Sequence, residues 1–289
     1  MANALPYLVF YAIPFFALLM ALEAVWLRAR GARAVAQYER KDWLSSIAMG
    51  IGNMLVGAAI APVVHAAMSF VYAHRLSDIT MSAQSYVALV LLEDLAYYGF
   101  HRASHEVRYF WAGHVNHHSS EHYNLGTAMR QSWTSWLSGG WVFWLPLCWL
   151  GFTPSWVTFQ IGLSLLYQYW VHTEAVGRMP PWFEAVMSTP SSHRVHHARN
   201  AQYLDKNYGG IFIVWDRWFG TFVRESERPT YGIVTPIKSF NPLWIAVHEW
   251  VAIAIDVGCF KGARAKLTAI FGRPSEMDAL RRSQKRRRV

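Results

Sequence analysis

Long apolar runs alternate with short polar segments along this chain, and the run lengths set the first expectation. Residues 5–27, "LPYLVFYAIPFFALLMALEAVWL", carry one charge, Glu23, near their end. About 30 Å of hydrocarbon is crossed by roughly 20 helical residues, so this run predicts a spanning helix. No Lys or Arg precedes it and no small-residue cleavage site follows, which argues against a signal peptide. A second run, 43–73, can cross with room to tilt or kink at Pro62. A third, 81–100, leads straight into a histidine-rich segment. Two more, 133–152 and 155–171, flank Thr153-Pro154 and predict a helical hairpin near the lower limit for spanning. The expected fold is all-α: a polytopic membrane protein with about four to five membrane-embedded helices and a cytoplasmic, histidine-rich helical domain. The expected divisions are N-terminal membrane helices over 1–80, a catalytic domain with its membrane hairpin over 81–260, and a basic tail over 261–289.

Composition and charge sharpen this picture. Apolar residues make up 53% of the 289 positions and charged ones 16%, as expected for several spans joined to a substantial polar part. The net charge of +9 is concentrated in residues 28–41 and in the C-terminal "RRSQKRRRV". No basic face interleaved with aromatics is present to stack bases, so the expected partner is the membrane surface and not nucleic acid. Arg28, Arg30, Arg33, Arg40 and Lys41 place the first loop in the cytoplasm by the positive-inside rule. Counting spans onward brings His101, His172 and everything after the hairpin to that same face. Richness in Arg and Trp points to a bacterial inner membrane in preference to the endoplasmic reticulum. Cys148 and Cys259 form no CxxC pair and read as packing residues.

The candidate chemistry lies in "HRASH" (101–105), "HVNHH" (114–118) and "HRVHH" (193–197). His101 and His105 are four residues apart, so on a helix their rings share a face with Asp94 and Tyr98. His114, His117 and His118 repeat that logic, as do His193, His196 and His197. His105 and His114 are nine residues apart, which at about 100° per residue is half a turn out of phase. A break is therefore required between them, with Gly113 a candidate. Thr189-Pro190 predicts the start of the last helix. Eight histidines exceed what one metal needs, and four or five nitrogen donors on each of two ions leave a position open. HExxH is absent, and so are the ExxH pairs of carboxylate-bridged sites. Imidazole suits iron, copper, nickel and zinc, with iron the choice if oxygen chemistry is intended. Asp94, Glu106 and Asn200 are candidates for supporting the donors, Asp94 by accepting a ring N–H; Glu121, Glu174, Asp205 and Asn207 could serve similarly. A zinc-dependent membrane hydrolase and a non-catalytic metal- or lipid-binding membrane protein remain as alternatives.

The order HxxxH, HxxHH, HxxHH behind paired apolar runs resembles the fatty acid hydroxylase/sterol desaturase superfamily. Residues 111–133, "LLYQYWVHTE" (165–174), "TPSSHRVHHARN" (189–200) and 203–222 look most like its alkylglycerol monooxygenase branch. The resemblance implies two iron ions, with O2 as co-substrate attacking a lipid C–H bond. Hydroxylation, desaturation or cleavage of an alkyl ether would follow. It implies His101, His105, His114, His117, His118, His193, His196 and His197 as ligands, and adds His172 from the end of the preceding span. Where the 2-hydroxylase branch has one more histidine this chain has Val176, which leaves nine. No cytochrome b5-like segment is fused, so electrons are expected from a separate donor protein or a small reductant. In the alkylglycerol branch that reductant is tetrahydrobiopterin.

Overall fold

Two of the apolar runs become long helices of the computed structural model, which describes residues 8–31, 38–277 and 280–281. They are α1 (Leu8–Ala29) and α2 (Arg40–Ala73), and α2 continues through Pro62. Both are long and apolar enough to cross a bilayer, and so is α11 (Pro242–Cys259). The sequence pattern did not single out α11, because Glu249 and Asp256 interrupt its apolar run. In the folded chain both carboxylates pair with the buried guanidinium of Arg108, at 2.6 and 2.7 Å. Among the described residues the secondary structure is helical, with two isolated bridges, Met187–Phe212 and Ala198–Tyr231, and no strand.

The third run forms α3 (Ala83–Glu106), started by a capping box between Ser82 and Ser85. The hairpin differs from expectation. Its second arm is α7 (Pro154–Trp170), capped by Thr153, but its first arm is not continuous. Gly139 takes a left-handed φ of 76°, a 3-10 turn follows over Gly140–Trp144, and only Leu145–Leu150 (α6) is α-helical. The physical reason is Gly139-Gly140: a Cβ at Gly140 would lie 2.4 Å from the Phe100 ring, so the chain bends closely over α3 there. Val64, Met68, Leu89, Leu147, Cys148 and Val157 form the main apolar core, which makes Cys148 a packing residue as expected.

The ends of α1 and α2 that the basic loop joins lie beside the histidine-bearing segments. Asp42, near the start of α2, accepts from Ser120 at 2.6 Å and pairs with buried Arg130 at 3.2 Å. Phe16 of α1 stacks on Tyr169 of α7 with centroids 4.0 Å apart. Arg33 and the basic residues beyond Arg281 lie outside the described residues.

The required reversal between His105 and His114 takes two breaks. α3 stops at Glu106, and Val107 is extended at φ −121° and ψ 116°. A short α4 (Arg108–Ala112) and Gly113 then lead into α5 (Val115–His118). Arg108 holds the first break in place: besides its two carboxylates it donates to Ala269 O at 2.9 Å. Removing one member of a buried ion pair leaves the other charge unpaired, at about 3–5 kcal/mol. Arg108→Met, which takes the cation from Glu249 and leaves Asp256 with Arg281, is therefore expected to lower the thermal midpoint of the solubilised protein clearly. A midpoint equal to wild type in a differential scanning measurement would show that Arg108 does not hold this turn.

Candidate metal centre

Helix ends and helix-capping turns deliver all nine predicted histidines to one place. His101 and His105 come from the last turns of α3, His114 caps α5, and His117 and His118 lie within it. His172 follows the end of α7. His193 and His196 lie in α9 (Pro190–His196), opened by the Thr189–Ser192 capping box, and His197 caps its end. The rings sort into two groups. His101, His105, His114, His118 and His196 form one, and His117, His172, His193 and His197 form the other; within each, one nitrogen per ring lies within 4.8 Å of the rest. The groups adjoin, with His118 stacked on His197 at 4.4 Å. Eight rings are buried and His114 is half-buried.

Backbone carbonyls set the ring orientations. His101 Nδ1 lies 2.8 Å from Tyr208 O, His172 Nδ1 2.8 Å from Gln168 O, and His196 Nδ1 3.0 Å from Lys206 O. A carbonyl only accepts, so each of these nitrogens carries the proton and each Nε2 presents a lone pair. Those of His101 and His172 face other imidazole nitrogens. His114 Nε2 is 3.1 Å from both His101 and His118, and His172 Nε2 is 3.1 Å from His117 and 2.9 Å from His193. The Nε2 atoms of His105 and His196 are buried with no protein partner at all. Two nitrogens bound at right angles to one ion at about 2.1 Å sit about 3.0 Å apart, so the spacing suits shared cations in both groups.

Electrostatics favour the same state. Burial first, and the neighbouring imidazoles second, push His114, His118, His193, His196 and His197 well below the ordinary imidazole pKa, and burial and His172 do so for His117. Burial brings His172 down to about 4. The rings are therefore neutral near pH 7 and available as donors.

The carboxylate and amide candidates take other partners. Asp94 accepts the backbone N–H of Ile211 at 2.6 Å and of Phe212 at 3.0 Å, and Trp215 Nε1 at 2.8 Å, instead of a ring N–H. Its position, two turns before His101, faces the 210–215 turn and not the donors. Glu106 pairs with Arg102 at 3.0 Å and Arg273 at 3.5 Å, and Asn200 bonds Thr230 N and Arg228 O, so neither supports a ring. Glu121 is paired with Arg199 and Glu174 accepts from Tyr231. Asp205 comes nearest, 3.8 Å from His105 Nδ1.

Sequence reasoning missed the groups that orient the rings, because they are main-chain carbonyls. The 205–209 segment presents two of them. Asp205 and Asn207 adopt left-handed φ of 57° and 59°, which Asp and Asn tolerate better than most residues. Asn207 ties the loop to α9 through Ser192 O at 3.0 Å. Asp216 accepts the N–H groups of Tyr208 at 2.8 Å and Gly209 at 2.7 Å. The "LDKNYGG" composition was the available signal, since it marks a loop with unusual backbone angles.

Against this geometry stand the comparisons with known proteins. The fatty acid hydroxylase family model matches residues 86–221, an interval that contains all nine histidines. Beyond that interval, the chain is 38% identical over 267 residues to the human alkylglycerol monooxygenase, covering 91% of this chain and 58% of that protein. It is 42% identical over 237 residues to the Danio rerio alkylglycerol monooxygenase, covering 81% and 51%. An ornithine lipid hydroxylase of Rhizobium tropici is 29% identical over 185 residues, covering 64% and 54%. The chain thus spans just over half the length of these curated relatives. No solved structure matches it. The matched interval leaves α1, α2 and α11 outside its bounds, so the three helices of spanning length among the described residues flank it.

The neutral rings give the domain a pH dependence whose sign is fixed. Because the folded pKa values lie below the unfolded value of about 6.5, the unfolded chain takes up protons first as pH falls. The stability contributed by these rings is present above about pH 6.5 and is lost on acidification toward pH 4. Metal-free protein should therefore melt at progressively lower temperature from about pH 7 to pH 5. A melting temperature that rises across that interval would mean the rings are charged in the folded chain.

Proposed function

We propose that this protein is a membrane-bound lipid monooxygenase whose nine histidines hold two iron ions, one among His101, His105, His114, His118 and His196, the other among His117, His172, His193 and His197. The observation that carries the reading is the division of nine imidazoles into two adjoining groups with converging ring nitrogens. When bound, the iron pair supplies the redox chemistry that lets O2 attack an unactivated C–H bond.

The chain's own residues do the rest. The carbonyls of Tyr208, Gln168 and Lys206 hold three rings in one tautomer, which fixes where their donor nitrogens point. Burial of eight of the nine rings keeps the site from bulk water. A lipid keeps its polar end near the basic loop between α1 and α2 while its apolar chain reaches the rings from the bilayer. By the positive-inside rule that face is cytoplasmic. The reaction takes a lipid C–H bond, O2, two electrons and two protons to a hydroxylated carbon and water. At a carbon next to an ether oxygen the product is a hemiacetal, which collapses to an aldehyde and an alcohol. The relatives named alkylglycerol monooxygenase support an ether lipid as substrate. The electrons come from a separate donor protein or a small reductant such as tetrahydrobiopterin.

A zinc hydrolase reading needs a carboxylate free to activate water beside the donors. Glu106, the acid adjacent to His105, is occupied by Arg102 and Arg273, neither imidazole group contains a carboxylate, and Asp205, the nearest acid, approaches His105 at Nδ1 and not at the partnerless Nε2. The test is metal analysis together with oxygen uptake. About two irons per chain and O2 consumption stimulated by an alkyl ether lipid are expected, whereas one zinc and no redox activity would refute the reading. His117→Ala is expected to abolish turnover, while His65→Ala, on the exposed face of α2, leaves metal content and turnover intact. Equal losses in both would undo the assignment.

A further inference from the structure

One carboxylate connects the N-terminal helix to the imidazole groups. Glu23 lies in the last two turns of α1, before the interval matched by the fatty acid hydroxylase family model begins, and is only 5% exposed. Its oxygens accept the Thr173 hydroxyl, the Leu125 backbone N–H at 2.8 Å and the Tyr38 hydroxyl at 2.5 Å. One of those partners adjoins the four-imidazole group in sequence. Thr173 directly follows His172, and Leu125 opens the 3-10 turn that follows α5.

His172 has the weakest support from its own element. His193 and His197 belong to a capped helix and His117 lies within α5, whereas His172 comes after the C-cap of α7, Val171, and keeps to that helix only by its N–H on Tyr169 O at 3.3 Å and its ring on Gln168 O. Its ring is nonetheless central to the group, within 3.1 Å of His117 and 2.9 Å of His193. Three groups from elsewhere hold the 171–173 stub. Tyr123 donates to Val171 O at 3.1 Å, Arg194 donates to Thr173 O at 3.1 Å, and Glu23 takes the Thr173 side chain. Tyr123 and Arg194 lie within the matched interval itself; Glu23 comes from a membrane helix.

We infer that Glu23 is a positioning residue for one of the two metal sites: through Thr173 it fixes His172, so that the four-imidazole site is completed by α1 while the five-imidazole site is not. This rests on reading the two groups as metal sites. The consequence is selective. Losing the Glu23–Thr173 link frees the His172 stub, whereas none of the three hydrogen bonds that Glu23 accepts comes from the five-ring group or from a residue next to one of its members.

The experiment is metal titration of the purified full-length chain in lipid nanodiscs, stripped and then reloaded with ferrous iron against a graded chelator. Wild type is expected to show two classes of site. Thr173→Val, which keeps the side-chain shape but removes the hydroxyl, and Glu23→Ala are each expected to weaken one class about 10–100-fold and leave the other unchanged. Thr173→Ser, which restores the hydroxyl, is expected to recover both classes. Thr173→Val is the safer variant for folding, and size-exclusion elution matching wild type checks it. Two undiminished classes in Thr173→Val would overturn the inference, and so would a parallel loss of both classes in a normally eluting protein. A wild-type chain without two classes of iron site would overturn the metal reading, and this inference with it.

Discussion

Burying imidazoles with their lone pairs turned toward one another is unfavourable unless something positive sits among them, and the architecture of this chain is arranged around that constraint. In water each Nε2 would find a hydrogen-bond donor; here His105 and His196 have none, and His172 faces two other rings. A cation shared by each group removes the conflict and converts a costly arrangement into a binding site. Metal binding then adds to the stability of the fold, because the site exists only when four separate segments meet.

Those segments are held by rigid devices that are unlike one another. Two breaks, at Val107 and Gly113, turn the chain so that the faces of α3 and α5 converge. A buried guanidinium locks the first break onto α11 and α12 (Ala263–Phe271). The 205–216 stretch is stapled by two buried carboxylates, Asp94 on its 211–215 end and Asp216 on its 208–209 end. These acids act on the rings at one remove: they fix a loop whose carbonyls fix the imidazoles. The membrane helices share in this support, since Asp42 of α2 holds Ser120 and Arg130, close to α5 in sequence or space.

Much of the centre was legible in the chain because metal ligation imposes a side-chain pattern. HxxxH and HxxHH put rings on one helical face, and the half-turn mismatch between His105 and His114 demanded a reversal that the structure makes. Support for the rings was not legible, because it comes from peptide carbonyls that every residue possesses. Asp94 shows the trap. A buried acid in phase with two histidines looks like a ring acceptor, yet its position along α3 sets it opposite the 210–215 backbone. The helix pattern failed in two places for physical reasons. Glu249 and Asp256 disguised α11 because their partner, Arg108, is more than a hundred residues away. Gly139-Gly140 broke an apolar run that hydropathy alone reads as continuous.

The most direct measurement is an anomalous-difference map at the iron edge from crystals of the iron-loaded protein. The account predicts two peaks, one among His101, His105, His114, His118 and His196 and the other among His117, His172, His193 and His197. A single peak, or iron bound away from these rings, would contradict it.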